Sequence, residues 1–344
     1  ASTYPNPISM QNNHHSVEIA YFSRYRGPLM GFAMLFVMLF HCSGLPIGTL
    51  GYAIHRIGNV GVDMFLFLSG IGLWYSWDKT PSLHHFYVRR LLRIYPVWLG
   101  VAGYFYINSY IHHTGFTHGL GDTIANILVG WSFWQRDAWE FWFIPSILMM
   151  YVFAPYYMRL IRRQPAYRFL PFAFILLSIL IEYVPVLNHA VGHIEIFWSR
   201  IPIFLIGINC GSLAKHQHAL PPSTWPLVIL IFIMSAASCI TLEDGLRGQF
   251  PLFLERMVYI PLSITSMLLL SRLLAASHQW IINTFAFIGG ISLELYLVHI
   301  HYVLNFLTPL HLGYALTAAI MIAVSILMAW PLHLAAKWIM NLNK

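Results

Sequence analysis

Charge is what this 344-residue chain has least of. Asp, Glu, Lys and Arg make up 9% of it, where a soluble domain carries about 25%. That excludes a globular surface that faces water on all sides. Cysteine is equally sparse: Cys42, Cys210 and Cys239 show no CxxC or other ligand spacing, which excludes a disulfide framework. There is no HExxH. The pairs His14/His15, His84/His85 and His112/His113 are adjacent and cannot face one metal from one helix, and His189/His193 find no third ligand, so no metal is expected. No internal repeat, low-complexity tract or Pro/Gly-rich linker divides the chain, so a single domain is expected. The segment from Ala1 to Tyr21 is polar and has no signal-peptide pattern, and a start on Ala1 rather than Met points either to processing or to a residue left by cloning.

What is abundant is hydrocarbon. Hydrophobic residues make up 58% of the chain and mean hydropathy is +0.65, in apolar runs near twenty residues. Long continuous runs, not alternating ten-residue segments, imply an all-α polytopic membrane protein. The pattern predicts ten spans: 28–47, 57–76, 94–112, 141–159, 169–187, 197–214, 224–241, 255–272, 283–304 and 313–335. A shorter piece, 122–135, is expected to lie re-entrant or interfacial.

Basic residues set the orientation. With the N-terminus cytoplasmic, the inner side holds Arg24, Arg26, Lys79, Arg89, Arg90, Arg93, Arg159, Arg162, Arg163, Arg168, Lys215, Arg272, Lys337 and Lys344. The outer side holds only Arg56, Arg136, Arg247 and Arg256, with Arg200 inside the sixth span. Both termini are therefore expected in the cytoplasm. The net charge of +7 reports this bias and does not call for a nucleic-acid partner.

Ionisable groups inside a membrane are costly and are candidates for function. Four stand out: His41, Asp63, Glu294 and His299. His41, Asp63 and His299 lie five or six residues from the outer ends of their spans, about 8–9 Å below the boundary at 1.5 Å rise per residue. Each could be a hydrogen bonder between helices, and Ser292, Tyr296 and His299, which share one helix face, could be polar glue. A histidine beside a carboxylate is also the usual general-base pair. At the opposite end, "HFYVRRLLRIYP" clusters Arg89, Arg90 and Arg93. Such a cluster suits phosphate and equally suits an anchor to anionic lipid.

Six stretches carry a further signal: "LMGFAMLFVMLFH", "GNVGVDMFLFLSGIGLWYS", "FYVRRLLRIYPVWL", "FWFIPSILMMYVFAPYY", "SRIPIFLIGINCG" and "IGGISLELYLVHIHYVL". In this order, and over nearly the whole chain, they resemble the acyltransferase family 3 membrane proteins, which O-acylate carbohydrates at cell surfaces. The resemblance implies a transmembrane acyltransferase domain at 22–344 behind a polar tail at 1–21, in a bacterial cytoplasmic (inner) membrane. It implies an acyl group, usually acetyl, taken from cytoplasmic acyl-CoA and passed to a hydroxyl of an envelope glycan or its lipid-linked precursor. His41 matches the first-helix catalytic histidine, and Arg90-Leu-Leu-Arg93 matches the RxxR of donor binding. Asp63, Ser69, Trp142, Tyr151, Arg200, Ser292, Tyr296 and His299 fall on other recurring positions.

Two positions depart from the family pattern. Met30 stands where many members have Arg, with Arg26 the nearest base on that helix. Ile147 stands where many have Glu, so Asp63 or Glu294 is left as the carboxylate to support His41. No periplasmic hydrolase-like domain is expected after the last span, so direct hand-over to the acceptor is expected. The alternative from another class is a transporter or exporter of a small polar metabolite. Against it stands the expected lack of inverted repeats and of paired Gly/Pro-broken spans.

Overall fold

The computed structural model describes residues 16–136, 138–244, 246 and 248–342. Residues 1–15 of the polar tail, with the His14/His15 pair, and Arg247 and Lys344 of the orientation count lie outside the described residues. Almost all of the rest is helix. A two-residue strand, Val17–Glu18, pairs antiparallel with Ala219–Leu220. Helix α1 (Ala20–Arg24) leads into α2 (Arg26–His41). Next come α3 (Leu50–Arg56), α4 (Val60–Lys79) and α5 (Leu83–His112). Two short helices, α6 (Leu120–Val129) and α7 (Trp131–Arg136), precede α8 (Phe143–Arg163) and α9 (Leu170–Tyr183). The chain continues through α10 (Pro185–Val191), α11 (Glu195–Trp198), α12 (Ile201–Lys215) and α13 (Trp225–Asp244). It closes with α14 (Leu252–Ala275), α15 (Gln279–Gly290), α16 (Ser292–Val298), α17 (Asn305–Leu307) and α18 (Tyr314–Leu342).

Among the described residues, six helical stretches are long and apolar enough to cross a membrane, or eight if each of two bent pairs counts as one span. The sequence predicts ten. The two others are α2 and α5. With 16 residues, α2 rises about 24 Å, short of the roughly 30 Å hydrocarbon core. Helix α5 has the length, but His84, His85, Arg89, Arg90 and Arg93 make its first third polar. The piece at 122–135 divides between α6 and α7 at Gly130, whose φ of +63° ends the first of them.

The first span also ends earlier than its hydropathy suggests. His41 is the last residue of α2 and Cys42 is already extended, so the histidine stands at a helix terminus and not six residues inside. Gly44 (φ +112°) then turns the chain so tightly against the start of α18 that a Cβ there would lie 2.8 Å from the Tyr314 nitrogen. Two of the predicted spans, 197–214 and 283–304, also contain a bend. The pair Pro185–Trp198 and Ile201–Lys215 bends by 40°, and the pair Gln279–Gly290 and Ser292–Leu310 by 56°. Pro202 lacks the N–H that would continue the first, and Gly289-Gly290 loosens the second.

Close packing sets the relation of α2 to the second bent pair. A Cβ on Gly31 would sit 2.1 Å from the Phe285 carbonyl oxygen, and one on Gly289 2.0 Å from that of Gly27. Only glycine permits this approach, which in lipid substitutes for a hydrophobic drive between helices. The Phe32 and Phe285 rings stack at 3.7 Å beside it. Held this tightly, α2 and α15–α16 bring the ends that carry His41 and His299 together.

Candidate active site

The two histidines meet. His299 Nε2 lies 3.2 Å from His41 Nδ1, which also faces the Val37 carbonyl at 2.8 Å. His299 is fully buried and opens a π-helical turn, His299–Leu304, of the kind that recurs at functional sites.

One turn below His41, a cavity of about 90 Å³ runs between α2, α4, α5, α8 and α16. Val37, Met34, Phe143 and Tyr296 close its His41 end, and Arg26, Arg90 and Arg93 stand at the other. Ser69, Tyr151 and Ser292 also line it, so six of the sequence-level candidates share this wall with Tyr296. Met30 and Ile147, the two departures from the family pattern, line it too. Arg26 thus reaches the same space as Met30, and its Nε donates to the Leu68 carbonyl at 3.0 Å. Gly72 leaves room for that guanidinium: a Cβ there would lie 2.7 Å from Arg26 Cζ.

The charge at the arginine end is uncompensated. Among the described residues none of Arg26, Arg89, Arg90 and Arg93 forms an ion pair, whereas nearby Arg162 and Lys215 both engage Asp78. The Arg90 guanidinium lies 5.6 Å from the Phe86 ring centre and 5.9 Å from that of Tyr151, and its buried Nε has no hydrogen-bond partner. Arg89, Arg90 and Arg93 also line an outer vestibule of about 460 Å³ with Ser76 and His85. Arg90 and Arg93 therefore belong to both spaces and join them. An anion is the ligand such a site is built to take.

Neither carboxylate expected beside His41 is bonded to it. Asp63 Oδ2 accepts from Arg200 Nε at 3.3 Å, with both side chains almost completely buried. Glu294 Oε1 faces His333 Nδ1 at 3.0 Å. Both carboxylates are engaged elsewhere, Asp63 through Oδ2 alone with its buried Oδ1 left without a hydrogen-bond partner, so the shared depth of Asp63 and His41 does not translate into contact. Arg200 is likewise off the cavity. It lies 5.3 Å from the Trp142 ring centre and donates to the Ile196 carbonyl (3.4 Å) and to Asn59 Oδ1 (3.3 Å). Arg256, counted from sequence as an outer-side charge, is buried and its Nε lies 2.8 Å from both Glu195 oxygens. Tyr296 accepts the Phe143 N–H at 3.1 Å, which leaves its own hydroxyl proton to donate.

The match to known proteins can now be placed on this frame. The family model described as an acyltransferase domain (Acyl_transf_3) covers residues 29–333. The chain belongs to acyltransferase family 3. It carries that family's acyltransferase domain together with helices long and apolar enough to cross a membrane, and the matched region holds every site residue named above except Arg26. A relative in Acidianus two-tailed virus, ORF330, carries the provisional name of acetyltransferase. It is 32% identical over 130 residues, which span 35% of this chain and 39% of the relative. No solved structure matches.

Sequence reasoning missed His333, Asn59 and Glu195. The signal for His333 was weak because it lies in α18 one turn before Lys337, where a polar residue reads as the end of a span; a polar residue within a span asks for a partner, and Glu294 was the unassigned one. Among the described residues, no cluster of three metal-ligating side chains occurs.

Proposed function

We propose that this enzyme transfers an acetyl group from cytoplasmic acetyl-CoA to a carbohydrate hydroxyl, on an envelope glycan or its lipid-linked precursor. The observation that carries this reading is the cavity itself: unpaired guanidiniums at one end, and the His41–His299 pair one turn beyond the other. The proposal places Arg89, Arg90, Arg93 and Arg26 on the donor phosphates at the cytoplasmic face. The pantetheine arm then occupies the cavity and points the thioester at His41. To span the bilayer in this way, α2 and α5 must also cross, which gives ten spans, both termini in the cytoplasm, and α6–α7 re-entrant or interfacial. The membrane is then the bacterial cytoplasmic (inner) one.

In the reaction the acceptor oxygen attacks the thioester carbonyl while His41 removes the hydroxyl proton. The C–O bond forms, the C–S bond breaks, and the histidine returns its proton to the departing thiolate. Tyr296 is the better-placed oxyanion donor, because Arg200 is committed to Asp63. Met30 and Met34 are the flexible side chains that yield to the arm.

The test is to incubate purified protein in lipid with acetyl-labelled acetyl-CoA and candidate glycans. Label on the glycan, with free CoA released in step, is expected. The two bent spans are what a transporter would use; uptake of an unmodified solute without any label transfer would establish that reading instead. For the donor end, Arg90→Ala and Arg93→Ala should each weaken acetyl-CoA binding about 10-fold or more, the loss of a charge-assisted contact. Calorimetric affinity unchanged in both would reduce the cluster to a lipid anchor.

A further inference from the structure

We propose that His299 is the positioning residue of the His41 base, holding its imidazole as the tautomer protonated on Nδ1 so that Nε2 carries the free lone pair. The inference rests on His41 being the base, and it is read from proton accounting. A carbonyl oxygen only accepts, so any ring nitrogen bonded to one must be the donor. His299 Nδ1 lies 2.9 Å from both the Leu295 and the Tyr296 carbonyl oxygens. The proton of neutral His299 is therefore on Nδ1, and its Nε2 is bare.

That bare nitrogen faces His41 Nδ1 at 3.2 Å, and the Val37 carbonyl faces the same atom at 2.8 Å. Two acceptors converge on one nitrogen, so the His41 proton lies on Nδ1. A neutral ring has one proton, which leaves Nε2 as the basic atom. When His41 takes up the hydroxyl proton there, the Nδ1–H of the resulting imidazolium is already shared between two acceptors. His299 thus does the orienting work that a carboxylate does in a Ser-His-Asp triad. It does so without adding a second charge to the membrane interior, where charge is costly. The upstream geometry is rigid. The Leu295 and Tyr296 carbonyls lie in α16, just before the π-helical turn, and that helix packs on α2.

The experiment has two arms. Nitrogen NMR of protein labelled with ¹⁵N-histidine, with His41→Ala to identify the resonances, should show a protonated Nδ1 and a bare Nε2 on His41. A proton on Nε2 overturns the inference. In the kinetic arm, His299→Leu removes the side-chain acceptor and leaves only the Val37 carbonyl on His41 Nδ1, whereas His299→Gln can present its amide oxygen to the same N–H. The leucine variant should lose about 10²-fold or more in kcat with the KM for acetyl-CoA unchanged, and the glutamine variant should recover most of that loss. Equal losses in the two, or a loss confined to KM, overturn it. If His299→Leu does not fold, the glutamine variant and the wild-type spectrum still decide. A wild type that transfers no acetyl group defeats the reading of His41 as a base, and is distinguished from a wrong tautomer, which the spectrum reports independently.

Discussion

His41→Ala should lower acetyl transfer by about 10²–10⁴-fold, the range that general-base assistance contributes. Insertion and donor affinity should be unchanged. The separation follows from where the side chain sits. His41 is the last residue of α2, so truncating it leaves the helix and its glycine-lined crossing with α15 intact. The cavity below is closed by Val37 and Met34 and not by His41, so the arginine end keeps its geometry. What is lost is one proton acceptor and the partner of His299. Kinetics with labelled acetyl-CoA, beside calorimetry of donor binding and a melting curve, check all three parts. Turnover within a few-fold of wild type would remove His41 from the chemistry, and the same loss in donor affinity would make it a structural residue.

The helical, membrane-embedded class of this protein was legible in composition because lipid leaves a chain few options: backbone groups must be satisfied within each segment, and that forces long apolar helices. Helix ends were less legible. Hydropathy continued past His41 to Ile47, but the helix stops where Gly44 must turn against α18, a constraint that comes from tertiary contact. The bends at Arg200–Pro202 and Gly290–Ile291 were hidden for a similar reason, since an apolar run reads as one span whether or not its axis is straight. At the site, Arg89, Arg90 and Arg93 could be grouped from local spacing and charge, and Arg26 only as the nearest base to Met30 on its own helix. The partner of His41 could not. His299 and Asp63 have nearly the same depth, and depth carries no information about rotation around the helix bundle. Which of them faces His41 is decided by the Gly31–Phe285 and Gly27–Gly289 approaches.

Asp63→Ala should be the most destabilising of the site substitutions, by about 3–5 kcal/mol, because it leaves the Arg200 guanidinium buried without its counter-charge. Arg200 is 0% exposed and Asp63 1%. The remaining hydrogen bonds of Arg200, to the Ile196 carbonyl and Asn59, are neutral and long at 3.4 and 3.3 Å, and the Trp142 ring beside it carries no charge. Arg256, nearby and also cationic, is neutralised by Glu195 and offers no relief. A role in chemistry and a role in folding make different predictions for the double replacement Asp63→Leu/Arg200→Met. Removing both charges together avoids the unpaired ion, so stability should return to near the wild-type level. If Asp63 acts only through the fold, acetyl transfer should return with it. A double variant that melts like wild type and still transfers nothing would put Asp63 or Arg200 back into the reaction.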